Sequence, residues 1–184
     1  MSSLKKSIVK IPDSSEENFV DKYFPNWSIP YLHLSRADRP TGTWLLLLPC
    51  WFGILLAYIE KNNLSITFYE IWLLVACTIG AFLMRGAGCT WNDILDKDYD
   101  AKVKRTQNRP IPSGQVTIRG AIYWMIVQSL LAFIILLTFN KFSVLIACLS
   151  LLLVGIYPLA KRFTWWPQIF LGLAFNWGVL VGYS

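Results

Sequence analysis

Long uncharged runs alternate with short polar stretches along this chain, and their spacing predicts helices that cross a bilayer. Thr41 to Ile59 carries no charge, and a bilayer core takes about 20 apolar residues per helix. Pro49 falls inside this run and is expected to kink it, at a cost that neighbouring helices offset in a membrane bundle. After a polar loop at 60–63, a second span runs from about Ile66 to Trp91, with Glu70 near its start and Arg85 near its far end. Residues 92–119 read as a polar loop. Third and fourth spans, about Ile118 to Phe139 and Phe142 to Ala160, have only Asn140 and Lys141 between them and are expected to form a tight hairpin. A fifth apolar stretch begins near Thr164 and is still running at Ser184. The expected fold is all-α, a multi-pass transmembrane helical bundle behind a polar segment at 1–35.

Composition places the chain in lipid rather than water: 55% of the residues are hydrophobic, 15% are charged, and the mean hydropathy is +0.45. A net charge of +6 would admit a nucleic-acid partner, but the Lys and Arg residues lie in the short stretches between apolar runs, where membrane topology accounts for them. No nucleic acid is expected. The N-terminal segment, the 92–119 loop and the Lys161 and Arg162 pair fall on one side, against Lys61 and Lys141 on the other. Positive residues are retained in cytoplasmic loops, so the N-terminus and the acid-rich loop are expected in the cytoplasm. The first 40 residues have neither the order of a signal peptide nor the Arg-rich, acid-poor character of a mitochondrial presequence. A bacterial inner membrane is therefore favoured over a mitochondrial one. Cys50, Cys77, Cys89 and Cys148 have no CxxC spacing and no histidine partners for zinc, and read as buried, inert thiols. His33, the only histidine, lies in an interfacial segment with no hydrolase motif around it.

The stretch 85–100, RGAGCTWNDILDKDYD, carries the chemistry. Asn92, Asp96 and Asp100 are spaced by four residues and Asp93 lies three before Asp96, so a continuous helix would put these oxygens on one face, with Asp98 elsewhere. Clustered carboxylates repel one another, and oxygen-only ligands suit Mg²⁺, which takes one or two carboxylates and completes its shell with water and phosphate. The bland alternative is a loop of solvated acids. Arg85, seven residues before Asn92 and costly at the end of an apolar run, argues against it. Lys102, Lys104, Arg105 and Arg109 follow within a few residues, and acids, Mg²⁺ and basic groups together make a diphosphate site. Beyond them, 109–114 (RPIPSG) is expected to break the helix and return the chain to the membrane.

At these residues the sequence resembles the UbiA-type intramembrane prenyltransferase superfamily, whose first signature, NDxxDxxxD, is matched by Asn92, Asp93, Asp96 and Asp100. The segments 36–44 (RADRPTGTW), 83–89 (LMRGAGC), 103–114 (VKRTQNRPIPSG) and 157–168 (YPLAKRFTWWPQ) look like its 4-hydroxybenzoate polyprenyltransferase branch, and the likeness covers roughly residues 31–184. The resemblance implies a helical bundle of about nine spans, five of them present here, around a lipid-facing cavity. It implies transfer of a polyprenyl group from polyprenyl diphosphate to the ring of 4-hydroxybenzoate, in ubiquinone biosynthesis. By the matched motif, Asn92, Asp93, Asp96 and Asp100 would hold Mg²⁺ and diphosphate, and Lys102, Arg105 and Arg109 would contact phosphate. Lys97 falls inside the signature. Arg162, with Lys161 and Tyr157 beside it, is the candidate for the aromatic carboxylate or the diphosphate, while Arg36, Arg39 and Arg85 would line the polar end of the cavity.

The family carries a second acid-rich motif after the fifth span, and residues 36–184 stop short of it. The expectation is that this chain alone has little or no activity without a C-terminal half; whether it forms homo-oligomers is left open. The competing reading is a transporter or ion-conducting bundle, which would place acids within the spans, facing one another.

Overall fold

The computed structural model describes residues 18–61 and 67–184, with the side chains of Lys161 and Arg162 outside the description. The described residues form helices and turns only. Two short helices come first, α1 (Phe19–Tyr23) and α2 (Ile29–Leu34), followed by the long α3 (Thr41–Glu60) and α4 (Phe68–Leu95). The single-turn α5 (Lys97–Asp100) precedes α6 (Ile118–Leu136), α7 (Lys141–Phe163), α8 (Pro167–Asn176) and α9 (Gly178–Tyr183). Local chemistry sets the starts. Thr67 and Glu70 form a capping box at α4, the Thr117 side chain accepts from the Gly120 amide at α6, and Asn140 accepts from the amides of Phe142 and Ser143 at α7.

Among the described residues, four helices are long and apolar enough to cross a membrane: α3, α4, α6 and residues Lys141–Ala160 of α7. Only 11–28% of each apolar window is buried inside the protein, so most of these side chains face outward and need lipid as their solvent. The chain is an integral membrane protein. α3 stays helical through Pro49. α4 packs against α3 on one flank and α6 on the other, while α9 lies along α3 and α7 packs on α8 and α9.

Three elements differ from the pattern-based expectation. The fifth apolar stretch is two helices rather than one span, because Gly178 and Gly182 let α9 press onto α3. A Cβ at Gly178 would meet Cys50 Sγ at 2.6 Å, and one at Gly182 would meet the Cys50 carbonyl at 2.2 Å. At the joint, the Trp177 indole donates to the Ile146 carbonyl at 2.9 Å and ties the break to α7. The hairpin of α6 and α7 has its short turn, but the helices then splay, α6 following α4 while α7 follows α8 and α9. The acid-rich stripe is not one helix: Asp96, with φ −93° and ψ 5°, caps α4 and separates it from α5.

The segment before α3 and the loop between α5 and α6 meet at one end of the bundle. Leu34 packs with Ile111, Val116 and Ala121, and Val20, Ile29 and Ala37 form a second small core beneath α1. Glu60, Lys61, Glu70 and Asn140 lie at the opposite end. Residues 18–40 and the acid-rich loop thus lie on one side of the bundle, while the Lys residues before position 18 fall outside the described residues.

Candidate active site at the polar end of the cavity

α4 delivers Asp93 to the polar end, where its carboxylate is 1% exposed. A charge so buried requires a partner, and Arg36, 57 residues earlier, provides one: its Nη2 donates to both carboxylate oxygens, at 2.7 and 3.0 Å. Arg36 follows α2 with φ 57°, a left-handed conformation that costs an L residue about 1–2 kcal/mol. That turn aims the guanidinium back at α4. Arg109 completes the cluster from the loop, with Nη1 donating to Asp100 at 2.8 Å and lying 3.4 Å from Asp93. The buried Thr106 hydroxyl donates to the Asp100 carbonyl at 2.9 Å and fixes the intervening turn. Gly114, at φ 73°, then reverses the chain toward α6.

This cluster closes one end of a cavity of about 790 Å³ lined by Arg36, Arg39, Arg85, Asn92, Asp93, Arg109 and Tyr157, and beyond them mainly by apolar side chains of α3, α4, α6, α7 and α8. A polar end on an apolar tunnel suits a ligand with a charged head and a greasy tail. Arg85 lies further in, its guanidinium 5.8 Å from the Phe175 ring centroid and its buried Nε without a hydrogen-bond partner. No carboxylate lies within salt-bridge distance of Arg85 among the described residues, so it offers a cation to an anionic ligand. Gly42 makes room for it: a Cβ there would sit 2.4 Å from Arg85 Nε.

The structure brings together part of the residue set expected from sequence. Asn92, Asp93, Arg36, Arg39, Arg85, Arg109 and Tyr157 share the cavity, and Asp100 joins through Arg109. Asp96 is half-buried at the end of α4, Lys97 lies 3.9 Å from exposed Asp98, and Lys102, Lys104 and Arg105 sit on the exposed surface of the loop. The expectations for Lys161 and Arg162 fall outside the described side chains. The four signature oxygens do not form one open nest, because Asp93 and Asp100 turn to arginines. Among the described residues no cluster of three or more His, Cys, Asp or Glu is arranged to hold a metal.

A second ionic network lies beside the first. His33 is 4% exposed; its Nε2 is 2.8 Å from Asp21, and its Nδ1 is 3.9 Å from Asp38, which also pairs with Arg39 at 2.9 Å. Burial alone would lower the His33 pKa, but Asp38 and Asp21 outweigh it and raise the value above 6.5. Burial would raise the Asp38 pKa, yet His33 and Arg39 hold it below 3.8. Sequence reasoning set His33 aside and missed this pairing. It also missed Gln128, which is 3% exposed in the middle of α6. An amide inside an apolar run was the available signal.

Residues 46–184 match the UbiA prenyltransferase family. The chain is 47% identical over 169 residues to a protein of Arabidopsis thaliana named "4-hydroxybenzoate polyprenyltransferase, mitochondrial", an alignment covering 92% of this chain and 40% of that protein. Proteins of the same name from Homo sapiens and Caenorhabditis elegans are 49% and 46% identical, over 84% and 98% of this chain and 40% and 49% of their own lengths. The chain thus spans less than half the length of these relatives. No solved structure matches it.

Proposed function

The chain belongs to the UbiA prenyltransferase family, and from that premise we propose that its cavity binds a polyprenyl diphosphate beside 4-hydroxybenzoate for transfer of the prenyl group to the aromatic ring. The observation that carries this reading is the joining of two arginines and two carboxylates, Arg36, Arg109, Asp93 and Asp100, at the polar end of a cavity whose remaining wall is mainly apolar. The names of the relatives support the choice of acceptor and donor.

In the proposed reaction the allylic C–O bond breaks, diphosphate leaves with the bonding pair, the ring carbon beside the hydroxyl forms the new C–C bond, and the displaced ring proton is lost. Arg36 and Arg109 supply fixed positive charge at the mouth, where charge accumulates on departing diphosphate. Their carboxylate partners keep both guanidiniums in place before the ligand arrives, so little reorganisation is needed. Arg85, deeper and stacked toward Phe175, is the residue of choice for the acceptor carboxylate. The apolar wall takes the isoprenoid tail and excludes water from the reactive cation.

The signature oxygens fit Mg²⁺ by donor chemistry, since all are hard ligands and Asn92 and Asp93 line the cavity. With Asp93 and Asp100 held by arginines, the fit is to an ion that arrives with diphosphate, with Asn92, Asp93, Asp96 and Asp100 as the residues that would hold it. When bound, the ion supplies further neutralisation of phosphate charge. The relatives' names favour a mitochondrial membrane over the bacterial inner membrane suggested by the N-terminal composition. The transport reading gains no support, because Asp93 and Asp100 pair with arginines at the bundle's end instead of facing each other within spans.

Because the chain spans under half of its relatives' length, binding is the primary test. Calorimetry with geranyl diphosphate and Mg²⁺ on the purified chain in detergent should give saturable binding that Arg36→Ala and Arg109→Ala weaken at least tenfold. In membranes carrying the full gene product, mass spectrometry should detect prenylated 4-hydroxybenzoate. Binding that ignores both arginines, or no prenylated acid from folded protein supplied with both substrates, would overturn the proposal.

A further inference from the structure

Arg36 pairs with Asp93 from a left-handed backbone, a conformation that opposes the intrinsic preference of an L residue. Something must over-determine it. The preceding residue, Ser35, is 5% exposed and closes α2, its amide donating to the Tyr31 carbonyl at 3.0 Å. Its hydroxyl oxygen accepts two bonds from α6, from the Trp124 indole N–H at 2.8 Å and from the Gln128 amide at 3.0 Å. One oxygen thus anchors the turn to two residues one helical turn apart on a helix from a different part of the chain. Gly86 permits the approach, since a Cβ there would lie 2.5 Å from Gln128 Nε2 and 3.0 Å from Ser35 Cβ. Gly86 and Asp93 are seven residues apart on α4, so the anchor and the carboxylate lie on nearly the same helical face.

From this arrangement we infer that Trp124, Gln128 and Gly86 are positioning residues: they clamp Ser35 so that Arg36 is presented to Asp93 and to a diphosphate at the cavity mouth. The inference rests on the functional reading above for its phosphate half, while the clamp itself is a statement about Arg36. Neither Trp124 nor Gln128 lines the cavity. A buried amide and a half-buried indole donating to one hydroxyl make sense as a clamp, because the side-chain oxygen of Gln128 has no hydrogen-bond partner of its own, and a polar residue kept in an apolar helix at that cost requires a reason.

The test separates positioning from mere stability. Arginine-labelled ¹⁵N NMR of the purified chain should show a slowly exchanging Arg36 guanidinium signal, assigned by its loss in Arg36→Lys, that Asp93→Asn abolishes. Gln128→Leu, Ser35→Ala and Gly86→Ala should each broaden or remove that signal. Ser35→Thr, which keeps the hydroxyl, should restore it, and Trp124→Phe should give an intermediate result. In parallel, geranyl diphosphate affinity should fall about tenfold in Gln128→Leu and recover in Ser35→Thr, with circular dichroism confirming unchanged helix content. If the Arg36 signal persists in Gln128→Leu and Ser35→Ala, the clamp is wrong whatever happens to binding. If the signal responds as expected but the wild-type chain binds no diphosphate, the clamp stands and the functional reading fails.

Discussion

Two ionic networks lie side by side at the polar end of the bundle, one closed by arginines and the other by a histidine. Arg36 and Arg109 carry permanent charge and pair with Asp93 and Asp100, whereas His33, between Asp21 and Asp38, carries charge only while protonated. Only two residues separate His33 from Arg36, and Asp38 is two beyond it, so one turn of chain divides a pH-insensitive scaffold from a pH-sensitive one. The cavity mouth uses the permanent kind. Guanidinium does not deprotonate, so the proposed diphosphate site keeps its positive groups at any physiological pH. The histidine network fastens the segment that leads into it.

The largest expected effect comes from breaking the permanent pair. Arg36→Ala leaves the Asp93 carboxylate, 1% exposed, without its main partner, and should lower stability by about 3–5 kcal/mol, read as a drop in melting temperature in detergent. Arg36→Gly should be less damaging than Arg36→Ala by about 1 kcal/mol, because glycine adopts φ 57° without strain. Breaking the second network should cost less: Asp38→Asn removes charge from a carboxylate bonded to half-exposed Arg39, for about 1–3 kcal/mol by the same assay.

The pH dependence sharpens the contrast further. The His33 pKa is raised in the folded protein, so its contribution to stability is complete below 6.5 and is lost as pH rises through the folded-state value. The Asp38 pKa is lowered, so its contribution is present above 3.8 and is lost as pH falls through the folded-state value. Melting temperature should therefore decline in the wild type as pH rises above 6.5. His33→Gln should flatten that decline, and Arg36→Lys should leave its shape unaltered. The smallest effect is expected at the surface. Lys102→Ala with Lys104→Ala, both exposed, should change stability by no more than about 0.5 kcal/mol while reducing the salt dependence of diphosphate binding.

Much of the architecture was legible because lipid imposes a simple rule: uncharged runs of spanning length become helices. α3, α4, α6 and α7 follow it. The rule says nothing of how helices meet, and so it missed the break at Trp177, which arises from Gly178 and Gly182 seating α9 on α3. It also missed the splaying of α6 from α7, which is decided by their different partners. At the candidate site, local spacing singled out Asn92, Asp93, Asp96 and Asp100 and implied a continuous stripe, which the non-helical backbone at Asp96 interrupts. The pairing of Arg36 with Asp93 spans 57 residues and depends on a left-handed turn. Spacing within a segment carries no information about either. Arg85 was legible for a different reason, since a charge at the end of an apolar run announces itself by its cost.

The acids and arginines at the polar end of the cavity are proposed to bind a divalent ion together with diphosphate. Electron paramagnetic resonance of Mn²⁺, standing in for Mg²⁺, tests it directly when the purified chain is titrated with and without geranyl diphosphate. The account predicts immobilised Mn²⁺ only when diphosphate is present, and its loss in an Asn92→Ala, Asp96→Ala double variant that retains wild-type helix content. Mn²⁺ immobilised equally well in that variant would contradict it.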